Sequence, residues 1–345
     1  MINKFLLIII VLFALLSCST TNDFENENIE EIEKPTLQFS PSPIDISGVD
    51  AKFSKDISYG PYQRNKFDIF MPSSDKPVPL VVYIHGGYFT FGDKTKAYNN
   101  VEWGYPDAIK TLLKNDIAFA TINYRLIDLK GDEEGVLKSL SDSKRCLQYI
   151  RAISDVLNID KERIVLTGQS AGAGTSQWLA FSDEMADPDN PDLVLRESTR
   201  VKGIAVRATQ ATYDLRRFEL DVFDEFNFSW IEYFKFDSSI IPRFTSFYAL
   251  DRLNEFYSDR ITQYRAKVDM LGMMSPDDPE FWASNPESIV SAPTNLDVLV
   301  HHAYHVKTMR EWADSIGISN VTYYGAYRHP SDEGFIDFMM RKLKE

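Results

Sequence analysis

The sequence predicts an α/β fold: a mostly parallel central sheet with helices on both faces and a helical, aromatic-rich cap insertion. Three observations carry this. Short apolar runs suited to strands buried on both faces alternate with longer segments of helical spacing. One such run, Ile164-Val165-Leu166, leads into Gly168-Gln169-Ser170-Ala171-Gly172 and then into a further helical segment. The alternation breaks after about Ala211 and resumes near Ser288, which brackets an insertion at about residues 212–284.

The elements follow in order. Residues 1–17 read as an export signal, with Lys4 as its positive start and Phe5 to Leu16 as an apolar run too short to cross a bilayer. Leu15-Leu16-Ser17-Cys18 then resembles a bacterial lipoprotein signal. That resemblance implies lipid on Cys18 and a place in the bacterial cell envelope, on its periplasmic or surface face. An ordinary signal peptide or a membrane anchor is the alternative. Residues 18–48 are polar and acidic, with few apolar side chains, and read as a flexible tether. The folded domain is expected over 49–345.

Within that domain, Phe67-Asp68-Ile69-Phe70, Leu80 to Ile84 and Ala118 to Tyr124 read as strands. Helical spacing runs from about Val136 to Leu157. Arg163 to Thr167 and Val201 to Val206 are further strands. From Phe218 to Tyr248, eleven of thirty-one residues are aromatic, which suits an insertion with its own core and a few rings left to line an acyl or aryl pocket. Beyond it, Ser288 to Ala292 reads as a strand, with Leu296 to Val300 as the competing choice. A helix from Tyr304 to Ile316 ends at Gly317. Val321 to Tyr324 is a short strand, and Phe335 to Leu343 a closing amphipathic helix.

Composition narrows the function. A chain of 345 residues with 44% hydrophobic content can bury a large core. Its formal charge of −14 disfavours nucleic-acid phosphates and anionic membrane surfaces as partners, so contact with membrane is expected only through the N-terminal lipid. There are two cysteines, Cys18 and Cys146. With Cys18 lipidated, no disulfide framework is expected, and Cys146 reads as a small buried hydrophobe.

The chemistry concentrates at Ser170. Glycines on either side permit a sharp strand-to-helix turn that lifts a serine hydroxyl into a cleft, where a nucleophile must stand. Upstream, His85-Gly86-Gly87 closes the Leu80–Ile84 run. Amides at Gly87, Tyr88 and Ala171 can converge on the oxyanion formed when the serine attacks a carbonyl. His85 and Gly86 support that loop, and His85 is expected to brace it rather than to move protons.

Together these motifs resemble the α/β-hydrolase fold, in detail the bacterial carboxylesterases related to the hormone-sensitive-lipase group. Asp68-Ile69-Phe70-Met71-Pro72, His85 to Phe89 with Phe91-Gly92-Asp93-Lys94, Asn123-Tyr124-Arg125-Leu126 and Gly168 to Gly172 carry the resemblance. It covers about residues 55–345. Tyr88 stands where many relatives have a third glycine. The resemblance implies the chain order serine, acid, histidine. On it, His329, in Tyr324-Gly325-Ala326-Tyr327-Arg328-His329, is the expected general base, with His301, His302 and His305 as rivals. Asp297 is the expected acid and Asp332 the fallback. The three clustered histidines also invite a zinc reading, but no fourth ligand accompanies them. No metal or cofactor is expected.

The function implied is hydrolysis of carboxylic esters through an acyl-enzyme, with acyl groups on extracellular carbohydrate as one substrate class. A peptidase or amidase on the same fold is the alternative enzyme. A cell-surface binding protein with a broken triad is the alternative without catalysis.

Overall fold

The computed structural model describes residues 32–99, 103–287 and 291–345. The export signal and Cys18 lie outside the described residues. Ten strands form one sheet in the order β1-β2-β3-β5-β4-β6-β7-β8-β9-β10. They are β1 (Phe39–Ser40), β2 (Ala51–Ser58), β3 (Lys66–Pro72), β4 (Val78–Ile84), β5 (Ala118–Ile122), β6 (Ile159–Gln169), β7 (Gly203–Arg207), β8 (Phe281–Asn285), β9 (Asn320–Tyr324) and β10 (Tyr327–Arg328). The run β5-β4-β6-β7-β8-β9 is parallel, and the pairs toward β1 and at β10 are antiparallel.

The β4 side chains show why both faces must be covered. Leu80, Val82 and Ile84 join one apolar cluster, while Val81 and Tyr83 join the other. This is the two-residue alternation of a strand with no solvent face. Cys146 and Leu147 of the helix Val136–Ala152, and Leu179 of the helix Ala171–Phe181, pack on the first face. Ile109 and Phe338, from the helices Tyr105–Leu113 and Phe335–Lys342, pack on the second. Cys146 is a buried free thiol.

Three expectations are corrected. The tether expected over 18–48 has residues 18–31 outside the described residues, and beyond them Phe39–Ser40 pairs antiparallel with Phe53 and Ser54 as the sheet's edge strand, while Ile32 and Leu37 pack on the core. A few apolar residues suffice to dock a polar segment. The strand after the insertion is Phe281–Asn285, upstream of Ser288, and it pairs with both β7 and β9. Of the two strand choices, Leu296 to Val300 lies in the helix Leu296–His301, and residues 288–290 lie outside the described residues. Finally, the rings of the insertion do not form a separate core. Phe218, Trp230, Phe244 and Phe256 belong to the same apolar cluster as one sheet face. The insertion's helices are short, Trp230–Phe236, Ile241–Phe247 and Asp259–Ala266 among them, so they rely on that shared burial.

Candidate active site

The site lies at the carboxyl ends of β4, β6, β7 and β8, where open parallel sheets gather their loops. Ser170 follows directly on β6 and adopts φ 55 and ψ −123, a left-handed conformation that turns strand into helix. Its amide donates to the Arg207 carbonyl at 3.1 Å, and its carbonyl accepts from Gly174 at 3.1 Å. The turn demands glycine nearby. A Cβ on Gly172 would meet the Ile84 carbonyl oxygen at 1.9 Å, and one on Gly86 would meet the Gln169 oxygen at 2.6 Å. These contacts bring the β4 loop against the serine.

That loop carries positive φ at Gly87 (128), Tyr88 (52) and Phe89 (62). Among the described residues, no protein acceptor takes the amides of Gly87, Tyr88 or Ala171. His85 braces the loop from beneath. It is buried, its ring stacks on Tyr124 at 4.3 Å, and its Nδ1 lies 2.9 Å from the Gly86 carbonyl. Burial pushes its pKa down to about 4, so it stands neutral. Arg64 ties the surrounding segments together, donating to the carbonyls of Tyr124 at 2.8 Å and Gly92 at 2.9 Å. Asp68 and Lys94 form a buried ion pair at 3.0 Å, and Tyr98 donates to Asp68 at 2.8 Å. The motif residues around positions 68, 94 and 123 are thus scaffold for the loop.

Opposite Ser170 stands His301. Its Nε2 lies 2.9 Å from the Ser170 Oγ, across 131 residues of chain. Its Nδ1 lies 2.9 Å from the Asp297 carboxylate. Acid and base sit four residues apart on one short helix, Leu296–His301, so one turn aligns them. Asn295 caps that helix by accepting from the Val298 amide at 3.0 Å. Its other end is pinned through its carbonyls. His305 donates to the Leu299 carbonyl at 2.8 Å, Gln210 to Val300 at 2.7 Å and Asn285 to His302 at 2.9 Å. Asn285 ends β8 and also holds the Thr209 backbone beyond β7, accepting from its amide at 2.8 Å and donating to its carbonyl at 2.9 Å. The sheet therefore fixes where the imidazole points.

Burial holds His301 below the ordinary histidine value of 6.5, while Asp297 pulls it upward. A neutral imidazole with Nδ1–H toward Asp297 leaves Nε2 free to accept the serine proton. His302 caps the next helix by accepting from the Tyr304 amide at 3.1 Å. Burial pushes His305 down to about 3, and its Nδ1 accepts from the Ala211 amide at 3.2 Å. Both are structural supports. Among the described residues, no cluster of three or more potential metal ligands occurs.

His329, the expected base, does not reach the serine. Its Nδ1 lies 2.8 Å from the Ser331 hydroxyl and accepts from the Ser331 amide at 3.2 Å, inside its own turn. It faces a polar cleft with Arg310 and Glu333, away from Ser170. The loop after β9 folds back as the two-residue strand β10, which carries residue 329 aside. Asp332 also stays with that loop. Asp297 lies beside His301, carried by the helix rather than by a loop after the expected strand.

A cleft of about 710 Å³, part of it open to solvent, leads to Ser170. Phe89, Phe218, Trp230, Phe244 and Phe247 give it largely aromatic walls, and Arg243 is its one cationic lining residue among those described. Tyr88 crosses its rim and donates to Asp297 at 3.2 Å. Burial pushes the Tyr88 pKa up to about 12, with the Asp297 charge as the second cause.

Comparison with known proteins agrees with this architecture. A truncated form of a carbohydrate esterase from gut microbiota superposes with a TM-score of 0.56 at 15% identity, over 85% of this chain and 96% of that one. The BD-FAE family matches residues 67–220. This chain has the α/β-hydrolase fold. A probable carboxylesterase 2 of Arabidopsis thaliana is 27% identical over 171 residues, 48% of each chain. A kynurenine formamidase of Danio rerio is 46% identical over 129 residues, 37% of this chain and 39% of that one. The chain thus spans under half the length of these curated relatives.

Sequence reading missed Asn285, Gln210 and the role of His301. The one available signal was Asp297 and His301 at helical spacing with Asn295 ahead of them as a cap.

Proposed function

We propose that this chain cleaves carboxylic esters through an acyl-enzyme on Ser170. The observation that carries the reading is the single line of bonds from Ser170 Oγ to His301 Nε2 and from His301 Nδ1 to Asp297, each 2.9 Å. As the Ser170 oxygen attacks the carbonyl carbon, His301 takes its proton and Asp297 steadies the imidazolium. The amides of Gly87, Tyr88 and Ala171 receive the oxyanion. His301 then protonates the departing alcohol. Water, activated by the same nitrogen, releases the acid and restores the serine. The chain's own residues perform every proton transfer in this scheme.

Hydrolysis of p-nitrophenyl butyrate, compared between the native chain and Ser170→Ala, tests it. A drop of about 10⁴-fold or more is expected, together with loss of labelling by a fluorophosphonate. Undiminished turnover removes Ser170 from the mechanism, and absence of labelling in the native chain favours the binding-protein reading.

The partial likeness to a kynurenine formamidase favours a second reading, cleavage of an amide bond on the same triad. Matched ester and anilide substrates decide between them by their kcat/KM ratio. The proposal extends to acyl groups on extracellular carbohydrate, supported by the name of the carbohydrate esterase whose fold is shared and by the export signal read from residues 1–17. Lipid attachment at Cys18 is part of that proposal. Radiolabelled palmitate should mark the native chain in a bacterial host and not a Cys18→Ala chain.

A further inference from the structure

Arg243 is an odd lining for an apolar cleft. It belongs to the helix Ile241–Phe247, whose Phe244 and Phe247 supply aromatic wall beside Ser170. Its Nη1 donates to the Thr90 hydroxyl at 2.9 Å, and its guanidinium carbon lies 5.4 Å from the centre of the Tyr88 ring. Hydroxyl and ring orient the group but bring no negative charge. Among the described residues, no carboxylate forms an ion pair with it, although the chain carries 51 acidic side chains against 37 basic ones. Four other insertion arginines contrast with it: Arg216, Arg217, Arg260 and Arg265 each pair with an acid, while Arg252, the remaining one, is exposed to solvent. A guanidinium has five N–H donors and loses hydration against aromatic walls, so an unmatched one favours a ligand that completes it.

We propose that the cleft takes an ester whose bound portion is apolar along its length and ends in a carboxylate, and that Arg243 reads this carboxylate. The inference rests on the ester-hydrolase reading for the reaction, but the recognition can be measured without it. The rings of Phe218, Phe244 and Phe247 contact the apolar body. Arg243, held by Thr90 and Tyr88, offers its remaining donors as a fork for two carboxylate oxygens. Arginine suits this role better than lysine because its planar fork is already aimed.

The test compares 4-phenylbutanoate with 4-phenylbutanamide, which share shape and differ in charge, as ligands of the full chain. Calorimetry gives both dissociation constants, and competition against p-nitrophenyl butyrate gives both inhibition constants. The expected result is a carboxylate-over-amide preference of about ten-fold or more in the native chain, the strength of a charge-assisted contact. Arg243→Gln should bring the ratio to near one, and Arg243→Lys should retain part of it. Two results overturn the proposal. One is a native ratio near one. The other is a preference that survives in Arg243→Gln, because the anion then binds at the oxyanion amides or at His301 instead. A native chain that binds the carboxylate selectively yet turns over no ester would refute the hydrolase reading while leaving this one standing.

Discussion

Replacing His301 by alanine, with His329→Ala beside it, separates two geometries for the same chemistry. His301 stands 2.9 Å from both the serine oxygen and the acid, and its side chain is 21% exposed. It has no described bond outside this line, so alanine there removes the proton acceptor without unpairing any backbone group. The expected loss in kcat/KM is on the order of 10⁴–10⁶-fold, about 5–8 kcal/mol of transition-state stabilisation. Thermal stability should change by about 1 kcal/mol or less, since little packing is lost. Among the described residues, the His329 side chain bonds only within its own turn, through Ser331. Its replacement should leave kcat/KM within about two-fold, as for a surface change remote from the chemistry. The assay is steady-state hydrolysis of p-nitrophenyl butyrate with a melting curve for each variant. If His329→Ala is inactive while His301→Ala works normally, both melting like the native chain, the assignment from the geometry is wrong.

Other outcomes follow from the same contacts. In the proposed mechanism His301 acts as a neutral base, so activity is expected above its pKa and lost as pH falls through it. Burial places the midpoint of that acid limb below 6.5. In Asp297→Asn the upward pull of the carboxylate is gone, so the limb should move to still lower pH while the plateau falls by about 10⁴-fold through the wrong tautomer. A limb that moves upward contradicts this. Asn285→Ala leaves the Thr209 amide and the carbonyls of Thr209 and His302 without their partner. Urea unfolding should show a loss of about 2–4 kcal/mol, with kcat reduced as the His301 helix loosens. Tyr88→Phe keeps the ring and the backbone amide but removes the bond to Asp297. A fall in kcat of about three- to ten-fold with little change in KM is expected, and an unchanged kcat would show that the hydroxyl does not help hold the acid.

The sequence by itself determined whatever local chain chemistry controls. Alternating apolar runs set the strands, because a strand buried on both faces admits few polar residues. Glycines at 168 and 172 announced the serine turn, because any side chain there collides with backbone within a few residues or on the adjoining strand. His85-Gly86-Gly87 announced the loop facing it for the same reason. The base was another matter. Five histidines were available, and spacing along the chain cannot rank residues that meet only across a cleft. The two-residue strand β10 carries His329 aside, while Asn285, Gln210 and His305 clamp a helix whose one turn presents Asp297 and His301 together. Those clamps join segments roughly ninety residues apart or act across a helix junction, so only packing in three dimensions selects the imidazole that touches Ser170.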